Sequence, residues 1–188
     1  IPSGTPHQPN VSGEQASCKS LAINLGATLT IGGQDCIVQG DVNISGCLTL
    51  NNASGSLRTY GNVFWQSTSL GLFANNATIY LKGDWDCAPG STTLLETGTV
   101  EFFGTGNSQI ISRSNDSYFN HVINNKTGTE LIYNTQSTYP LRINGNLYIN
   151  PGCSFSSSAN QNIIIKGFMD NDNGVIEMNN GAIVFEGA

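Results

Sequence analysis

A short pattern that ends in Gly or Asn returns at nearly constant spacing along this chain of 188 residues and constrains its fold more than any other feature. Its copies are CIVQG to Gly40, LRTYG to Gly61, IYLKG to Gly83, VEFFG to Gly104, HVINN to Asn125, LRING to Gly145, IIIKG to Gly167 and IVFEG to Gly187. Successive copies end 21, 22, 21, 21, 20, 22 and 20 residues apart. A repeat of this length is typical of a solenoid, in which each unit stacks on its neighbours.

Apolar residues alternate with polar ones inside each copy. Positions four and two residues before the final Gly or Asn are mostly apolar, and alternation places them on the inner face of a β-strand. These predicted inward pairs are Cys36/Val38, Leu57/Thr59, Ile79/Leu81, Val100/Phe102, His121/Ile123, Leu141/Ile143, Ile163/Ile165 and Ile183/Phe185. About 21 residues accommodate three short strands and three turns. We therefore predict an all-β fold, a parallel β-helix (β-solenoid) of about eight coils of 20–22 residues.

Domain organisation follows from where the pattern begins. Residues 18–188 are predicted to form the β-helix, as part of a longer array, and residues 1–17, which contain three prolines, an N-terminal leader or cap. Pairs such as NG, GG, NN and PG lie at the joins, and we expect them to supply the positive φ angles of sharp corners. The coils are close to constant in length, which predicts a smooth surface without long insertions to wall an active-site groove.

The residues between the inward positions are predicted to point outward and to form two ladders along the solenoid. Six of them fall on three consecutive coils and are predicted to share one patch: Arg58, Tyr60, Tyr80, Lys82, Glu101 and Phe103. One interpretation is a set of cross-strand pairs that stabilises the sheet. The alternative is a carbohydrate-binding surface, because aromatic rings beside charged and amide groups suit sugars.

Charge excludes one class of partner. Seven Lys and Arg against 13 Asp and Glu give a net charge of −6, whereas a nucleic-acid partner requires a concentrated basic surface. We therefore expect no nucleic-acid binding. No apolar run approaches the roughly 20 residues of a membrane-spanning helix, so we expect no transmembrane segment, and no motif predicts a cofactor.

Cysteines and acidic residues suggest two further candidate sites. The five cysteines contain no CxxC pair, which argues against zinc. Cys18 and Cys36, both near the first coil, are the candidate disulfide, with buried free thiols as the alternative. Asp170 and Asp172, with Glu177, suggest calcium, but Gly174 comes one residue too early for the usual loop. An Asn–Gly turn explains the same segment. His121 is predicted to be inward and hydrogen-bonded rather than catalytic.

Several phrases resemble those of a known family. IPSGTPHQP, LAINLGATLTI, GDVNISGCLTL, YLKGDW, VEFFGTGNSQIIS and YFNHVINN resemble the β-helical repeat regions of very large surface proteins of the Bacteroidetes and related phyla. The family usually has Leu where this chain has His121. The resemblance implies a stalk, adhesin or surface coat, and so a secreted, extracellular or cell-surface location.

These observations lead to two functional hypotheses. The first is a structural or adhesive surface scaffold without enzymatic activity, whose coils stack end to end into a homo-oligomer or filament. The second is a carbohydrate-binding or polysaccharide-active β-helix, with lyase or hydrolase activity as the enzymatic alternative and surface glycans as partners.

Overall fold

The computed structural model describes residues 1–4, 9–74, 76–94, 96–113, 117–134, 136, 139–157 and 160–187. Through these ranges the chain forms 25 short β-strands and no helix. All of their pairings are parallel, and each strand within a sheet pairs with strands from the coils before and after it, whereas the end strands of a sheet pair on one side. The prediction of a parallel β-solenoid is therefore confirmed.

The strands form three walls. Sheet 1 contains β1 (Asn10–Val11), β4 (Thr28–Ile31), β7 (Cys47–Leu50), β10 (Leu70–Phe73), β13 (Thr92–Leu94) and β16 (Ser117–Tyr118). Sheet 2 contains β2 (Ala16–Cys18), β5 (Cys36–Val38), β8 (Ser56–Thr59), β11 (Thr78–Leu81), β14 (Thr99–Phe103), β17 (His121–Asn125), β20 (Leu147–Ile149) and β23 (Met169–Asn171). Sheet 3 contains β3 (Leu21–Ile23), β6 (Val42–Ile44), β9 (Val63–Trp65), β12 (Trp85–Cys87), β15 (Ser108–Ser112), β18 (Glu130–Tyr133), β21 (Ser154–Ser157) and β24 (Val175–Glu177).

A short fourth sheet continues the wall of sheet 1. It contains β19 (Leu141–Ile143), β22 (Ile163–Ile165) and β25 (Ile183–Phe185), and a bridge from Phe119 to Ile143 connects it to the coil before. Passing from the first to the last strand of either eight-stranded sheet takes about seven turns of the chain, slightly fewer than the eight coils predicted. At about 4.8 Å per step, the stack is roughly 34 Å long.

The interior is filled by the inward residues of all the walls. The first four predicted inward pairs, Cys36/Val38 to Val100/Phe102, are all buried. Large rings fill the middle coils, where Trp65 and Trp85 lie 5.2 Å apart and Trp85 and Phe119 lie 5.1 Å apart between ring centroids. Ring pairs in this range add to the stabilisation from burial, so the aromatic row holds successive coils together.

A ladder of side-chain amides and carboxylates runs along the corner between sheets 2 and 3. Asp41 Oδ1 accepts a hydrogen bond from the backbone N–H of Asn62 (2.8 Å), and Asn62 Oδ1 accepts one from Asp84 (2.8 Å). Asp84 Oδ1 accepts in turn from Gln109 (2.8 Å). Each of these corners thus satisfies a backbone donor of the next coil, which explains the Asp or Asn that follows Gly40, Gly61 and Gly83.

Some repeat glycines serve close approach rather than positive φ, although Gly104 has a φ of 82°. A Cβ at Gly83 would lie 2.5 Å from the carbonyl oxygen of Gly61, and at Gly145 it would lie 2.6 Å from that of Asn120. Neither has a φ in the left-handed region, so our expectation of positive φ is wrong for the NG pair at Gly145. It is correct for Gly90 and Gly152, which follow prolines and have φ values of 80° and 73°.

The coils are less uniform than the sequence pattern indicated. The hydrogen-bonded pairs Asp41–Asn62 and Asn62–Asp84 are separated by 21 and 22 residues, but Asp84–Gln109 and His121–Asn146 are each separated by 25. The longer coils change which strand follows which. Strand β17 pairs with β20, whereas β19, the next copy of the sequence pattern, lies on another wall.

The N-terminal segment already contributes to the stack. Strand β1 pairs with β4, and β2, which spans the predicted boundary at residue 17, pairs with β5. The Ile1 carbonyl accepts a hydrogen bond from Asn24 N–H (3.1 Å), and the Ile1 amino group contacts the carbonyl of Ala22. The described part of the leader therefore lies against the first coils, and its separation as a cap stays a prediction.

Candidate functional site

The predicted patch lies on the outer face of sheet 2. Arg58 pairs with Tyr80, and Tyr80 pairs with Glu101, so the three side chains follow one another on β8, β11 and β14. Tyr60 and Phe103 contact each other from two coils apart, with ring centroids 5.7 Å apart and planes at 84°. We call Arg58, Tyr60, Tyr80 and Phe103 the arginine–aromatic cluster.

Arg58 occupies the centre of the arginine–aromatic cluster. Its guanidinium carbon lies 4.1 Å from the centre of the Tyr80 ring and 5.1 Å from that of Phe103. Both distances are within the range of a cation–π interaction, which contributes about 0.5–1 kcal/mol at exposed sites. Because Arg58 covers these rings, only Tyr60 is substantially exposed, at 41%. This geometry favours cross-strand stabilisation over ligand binding here.

The two other predicted members of the patch have structural contacts. The Glu101 carboxylate accepts a hydrogen bond from Asn125 Nδ2 (2.8 Å) on the next coil. The Lys82 backbone carbonyl accepts from Lys126 Nζ (2.6 Å) and from Ser108 Oγ (2.9 Å). Binding of a ligand to the six residues remains a prediction.

Beyond β14 the predicted ladders are wrong. In β17 the outward positions are displaced by one residue, and the next copy of the pattern, β19, lies on another wall. Val122 pairs with Val100, and both Val122 and Asn124 are fully buried although the pattern placed them outward. His121 and Ile123, predicted inward, lie on the outer face, half-buried. Asn125 aligns with Phe103 and not with Gly104, so the sequence pattern is displaced by one residue in this strand.

The corrected register reveals a second group of rings on sheet 2 that the sequence pattern missed. Tyr148 lies 6.4 Å from His121 and 5.6 Å from Phe168 between ring centroids, and Asn146 Nδ2 donates to the Tyr148 hydroxyl (2.9 Å). We call His121, Asn146, Tyr148 and Phe168 the tyrosine–histidine cluster. The pairing of Tyr148 with Asp170 adds an exposed carboxylate beside it.

The tautomer of His121 follows from its hydrogen bond. Nδ1 accepts from the backbone N–H of Asn146 (3.0 Å), so a neutral imidazole carries its proton on Nε2. Partial burial lowers the pKa of His121 and favours this neutral form near pH 7. The prediction of a hydrogen-bonded histidine is confirmed, although its inward position is wrong.

The acidic segment near the C-terminus forms a turn. Asn171 accepts from Gly174 N–H through Oδ1 (2.9 Å) and donates to the Gly174 carbonyl through Nδ2 (3.1 Å), and Asn173 has a φ of 57°. No group of three or more His, Cys, Asp or Glu side chains suited to a metal ion occurs within the described ranges. These contacts account for the segment without calcium, and calcium at Asp170, Asp172 and Glu177 has no further support.

Four acidic residues that are close in the sequence, Asp84, Asp86, Glu96 and Glu101, could be considered as a carboxylate pair for glycoside chemistry. Glu101 is on sheet 2, whereas Asp86 is on sheet 3, where it forms an ion pair with Arg113. Asp84 accepts from Gln109 at the corner. Asp86 and Glu101 therefore do not face each other across a common cleft, as acid–base hydrolysis of a glycoside requires, whereas Glu130 and Glu177 line one groove together.

A buried lysine–serine pair is the strongest unpredicted feature of the interior. Lys126 Nζ lies 2.7 Å from Ser108 Oγ and 3.3 Å from the carbonyl of Phe103, and both side chains are fully buried. Burial lowers the pKa of Lys126 to about 8, with a smaller upward effect of Asp84 and a smaller downward effect of Lys82. A Ser–Lys pair can serve as nucleophile and base, but burial excludes a substrate here.

A shallow groove opens at the corner between sheets 2 and 3, against the expectation that uniform coils would leave none. Its volume is about 450 Å³, and its lining comprises Asn107, Gly128, Thr129, Glu130, Gly152, Ser154 and Glu177. Asn107 Oδ1 accepts from the backbone N–H of Glu130 (3.0 Å). The groove follows from the longer coils at this corner.

The cysteines are free thiols in the described residues. Cys36 pairs with Ala16, and Cys18 pairs with Val38, so the two candidate partners are diagonal neighbours on adjacent strands. Strand spacing and rise put diagonal Cα atoms about 8 Å apart, beyond the usual reach of a disulfide. Burial, and the nearby Cys18, raise the pKa of Cys36 to about 11. A Cys18–Cys36 disulfide stays a prediction that would require backbone movement.

Comparison with known proteins gives no further assignment. No protein-family model, no curated protein and no solved structure matches this chain. Among the residues that the structure describes, none form a helix long and apolar enough to cross a membrane.

Proposed function

We propose that this chain is a rigid scaffold in an extracellular surface protein, as a stalk, coat or adhesive segment. The observation that carries the proposal is the uninterrupted parallel stack, in which each wall continues from coil to coil over a buried apolar interior. A stack of this kind resists bending because every coil is hydrogen-bonded and packed to the coils on both sides. Such a stack suits a segment that spaces or presents other segments of a surface protein.

The chemistry of the described surface supports a scaffold over an enzyme. Asp86 and Glu101 are on different walls, Asp84 accepts a hydrogen bond from the next coil, and the Lys126–Ser108 pair is enclosed. Polar side chains near coil corners serve mainly to satisfy backbone groups of the adjacent coil. Their arrangement serves stacking.

The extracellular location rests on the resemblance of the repeat phrases to bacterial surface proteins and on a surface rich in Asn, Ser and Thr with few charges. Antibodies raised against this chain test it on cells of the source organism. We expect immunogold label on intact cells at a density similar to that on permeabilised cells. Label that appears only after permeabilisation would refute the surface location.

The filament form of the proposal is supported by the coil that contains β23–β25. Phe185 is exposed there, whereas Ile165 and Ile143, its ladder partners on the two coils before, are buried. Because parallel strands present unpaired backbone groups along their edge, a coil of a second copy fits this surface. Negative-stain images should show rods longer than one chain, and particles of single-chain length at all concentrations would refute end-to-end stacking.

The second candidate function is carbohydrate binding, and the aromatic residues on sheet 2 favour it. In the arginine–aromatic cluster the accessible ring is Tyr60. If sugars bind there, Tyr60→Ala should weaken binding on a glycan array, and Tyr80→Ala should do so by releasing Arg58. Unchanged binding in both variants would remove this cluster as a glycan site.

A further inference from the structure

Phe168 of the tyrosine–histidine cluster has an exposed ring. Among the described residues, no cation lies over this ring. The side chain of Phe168 is 53% exposed. Its contact with Tyr148 is perpendicular, with planes at 85°, and a contact of this geometry occupies at most one face of either ring. In the arginine–aromatic cluster, by contrast, Arg58 lies over two of the rings.

Both hydrogen-bond donors and a hydrogen-bond acceptor lie near this ring. The Tyr148 hydroxyl accepts from Asn146, so its own O–H is the group that remains to donate. His121 is fixed as an Nε2–H donor because Nδ1 accepts from the backbone of Asn146. Asp170, exposed and paired with Tyr148, contributes a carboxylate acceptor.

The charge of this part of the wall selects against anionic ligands. The outward residues of β17, β20 and β23 are His121, Ile123, Asn125, Tyr148 and Asp170, with no Lys or Arg among them. A uronate, sulfate or phosphate group would meet the Asp170 carboxylate, and the outward residues of these three strands supply no compensating cation; the exposed Lys166 lies on the preceding corner, off the face of the sheet. Arg58 and Lys82, the cations of this wall, are on earlier coils.

We propose that the tyrosine–histidine cluster binds a neutral sugar residue of a polysaccharide. The apolar C–H face of a pyranose packs on the exposed ring of Phe168, and its hydroxyls bond to Tyr148, His121 and Asp170. Sheet 2 continues from β17 through β20 to β23, so neighbouring sugar residues of an extended chain lie along it. The inference rests on the proposal of an adhesive surface protein and names its ligand class.

The test is affinity electrophoresis of the full chain in gels that contain a soluble neutral polysaccharide. Glucan, mannan, galactan and xylan are used separately, with polygalacturonate as the acidic polymer. We expect retardation by at least one neutral polymer and none by polygalacturonate. Phe168→Ala should weaken the affinity at least tenfold, and Tyr148→Phe, which keeps the ring, about three- to tenfold for the loss of one hydrogen bond.

Phe64→Ala is the matched control, because Phe64 is also an outward phenylalanine but lies on sheet 3, away from the cluster. It should change the affinity less than twofold, and circular dichroism confirms that each variant is folded. The proposal is overturned if no neutral polysaccharide retards the chain, if only polygalacturonate does, or if Phe168→Ala and Phe64→Ala have equal effects. Immunogold labelling is independent of this result, so the surface location and the sugar site can fail separately.

Discussion

Replacing Gly83 with Ala should destabilise the solenoid, because the corner has no room for a side chain. A Cβ there would lie 2.5 Å from the carbonyl oxygen and 2.7 Å from the carbonyl carbon of Gly61, whereas real Cβ atoms essentially never come within 3.0 Å of another heavy atom. Both atoms are backbone, so one coil must move away from the next by about half an ångström.

The expected magnitude combines three terms. Overpacking of a tight site costs about 1–3 kcal/mol. The movement also weakens two hydrogen bonds of this corner, Gly83 N–H to the Gly61 carbonyl (3.1 Å) and Asp84 N–H to Asn62 Oδ1 (2.8 Å). Each such bond contributes about 1 kcal/mol. Ala lowers the entropy of the unfolded chain, which offsets about 0.5 kcal/mol. We expect a net loss of about 3 kcal/mol.

Urea unfolding followed by circular dichroism measures the effect. Gly13→Ala is the matched control, because a Cβ at Gly13 meets no heavy atom within 4 Å and its φ is outside the left-handed region. It should leave the free energy of unfolding within about 0.5 kcal/mol of the parent. If Gly83→Ala is as stable as Gly13→Ala, the argument that close approach selects glycine at these corners is refuted.

The buried lysine and the thiols give two further predictions. The measured quantity is the free energy of unfolding of the parent chain minus that of Lys126→Met. This difference should rise by up to roughly 3 kcal/mol as the pH rises from 8 to 10.5. Between the folded and unfolded pKa values of Lys126, the unfolded chain binds more protons than the folded chain, so a higher pH favours folding. Urea titrations at several pH values measure this difference, and a constant difference would contradict the buried charge. Brief alkylation followed by mass spectrometry should modify Cys47, which is on the outer face of sheet 1, before the buried Cys36, Cys87 and Cys153, and equal rates would contradict the packing.

The sequence was sufficient for the fold class and for the first half of sheet 2. From Cys36 to Phe103 apolar and polar residues alternate cleanly and each copy ends in Gly, so burial alone determines the inner face. The same reasoning correctly predicted that Arg58, Tyr80 and Glu101 are neighbours on successive strands.

The second half failed at β17 for a physical reason. Val122 and Ile123 are both β-branched and apolar, so alternation cannot decide which one is inward. The two residues that follow are both asparagine, so the pattern does not indicate which of them ends the strand. A one-residue error reverses every side chain of a strand, and the longer coil between His121 and Asn146 then moved the next copy of the pattern to another wall.

The tyrosine–histidine cluster was hidden by that error. Tyr148 and Phe168 lie outside the recurring pattern on which the ladders were built, and only the pairing of β17 with β20 and of β20 with β23 brings them beside His121. Lys126 was missed for a different reason, since a lysine next to a turn is usually exposed and its burial depends on acceptors that three separate segments supply.

The register through β17 determines both the continuity of the scaffold and the composition of the sugar site, and one pair of variants tests it most directly. Val122→Thr places a hydroxyl in the apolar interior and should lower the free energy of unfolding by about 1–3 kcal/mol. Ile123→Thr changes an outward side chain and should cost less than about 1 kcal/mol. The account predicts this order in urea unfolding, and a larger loss for Ile123→Thr than for Val122→Thr would contradict it.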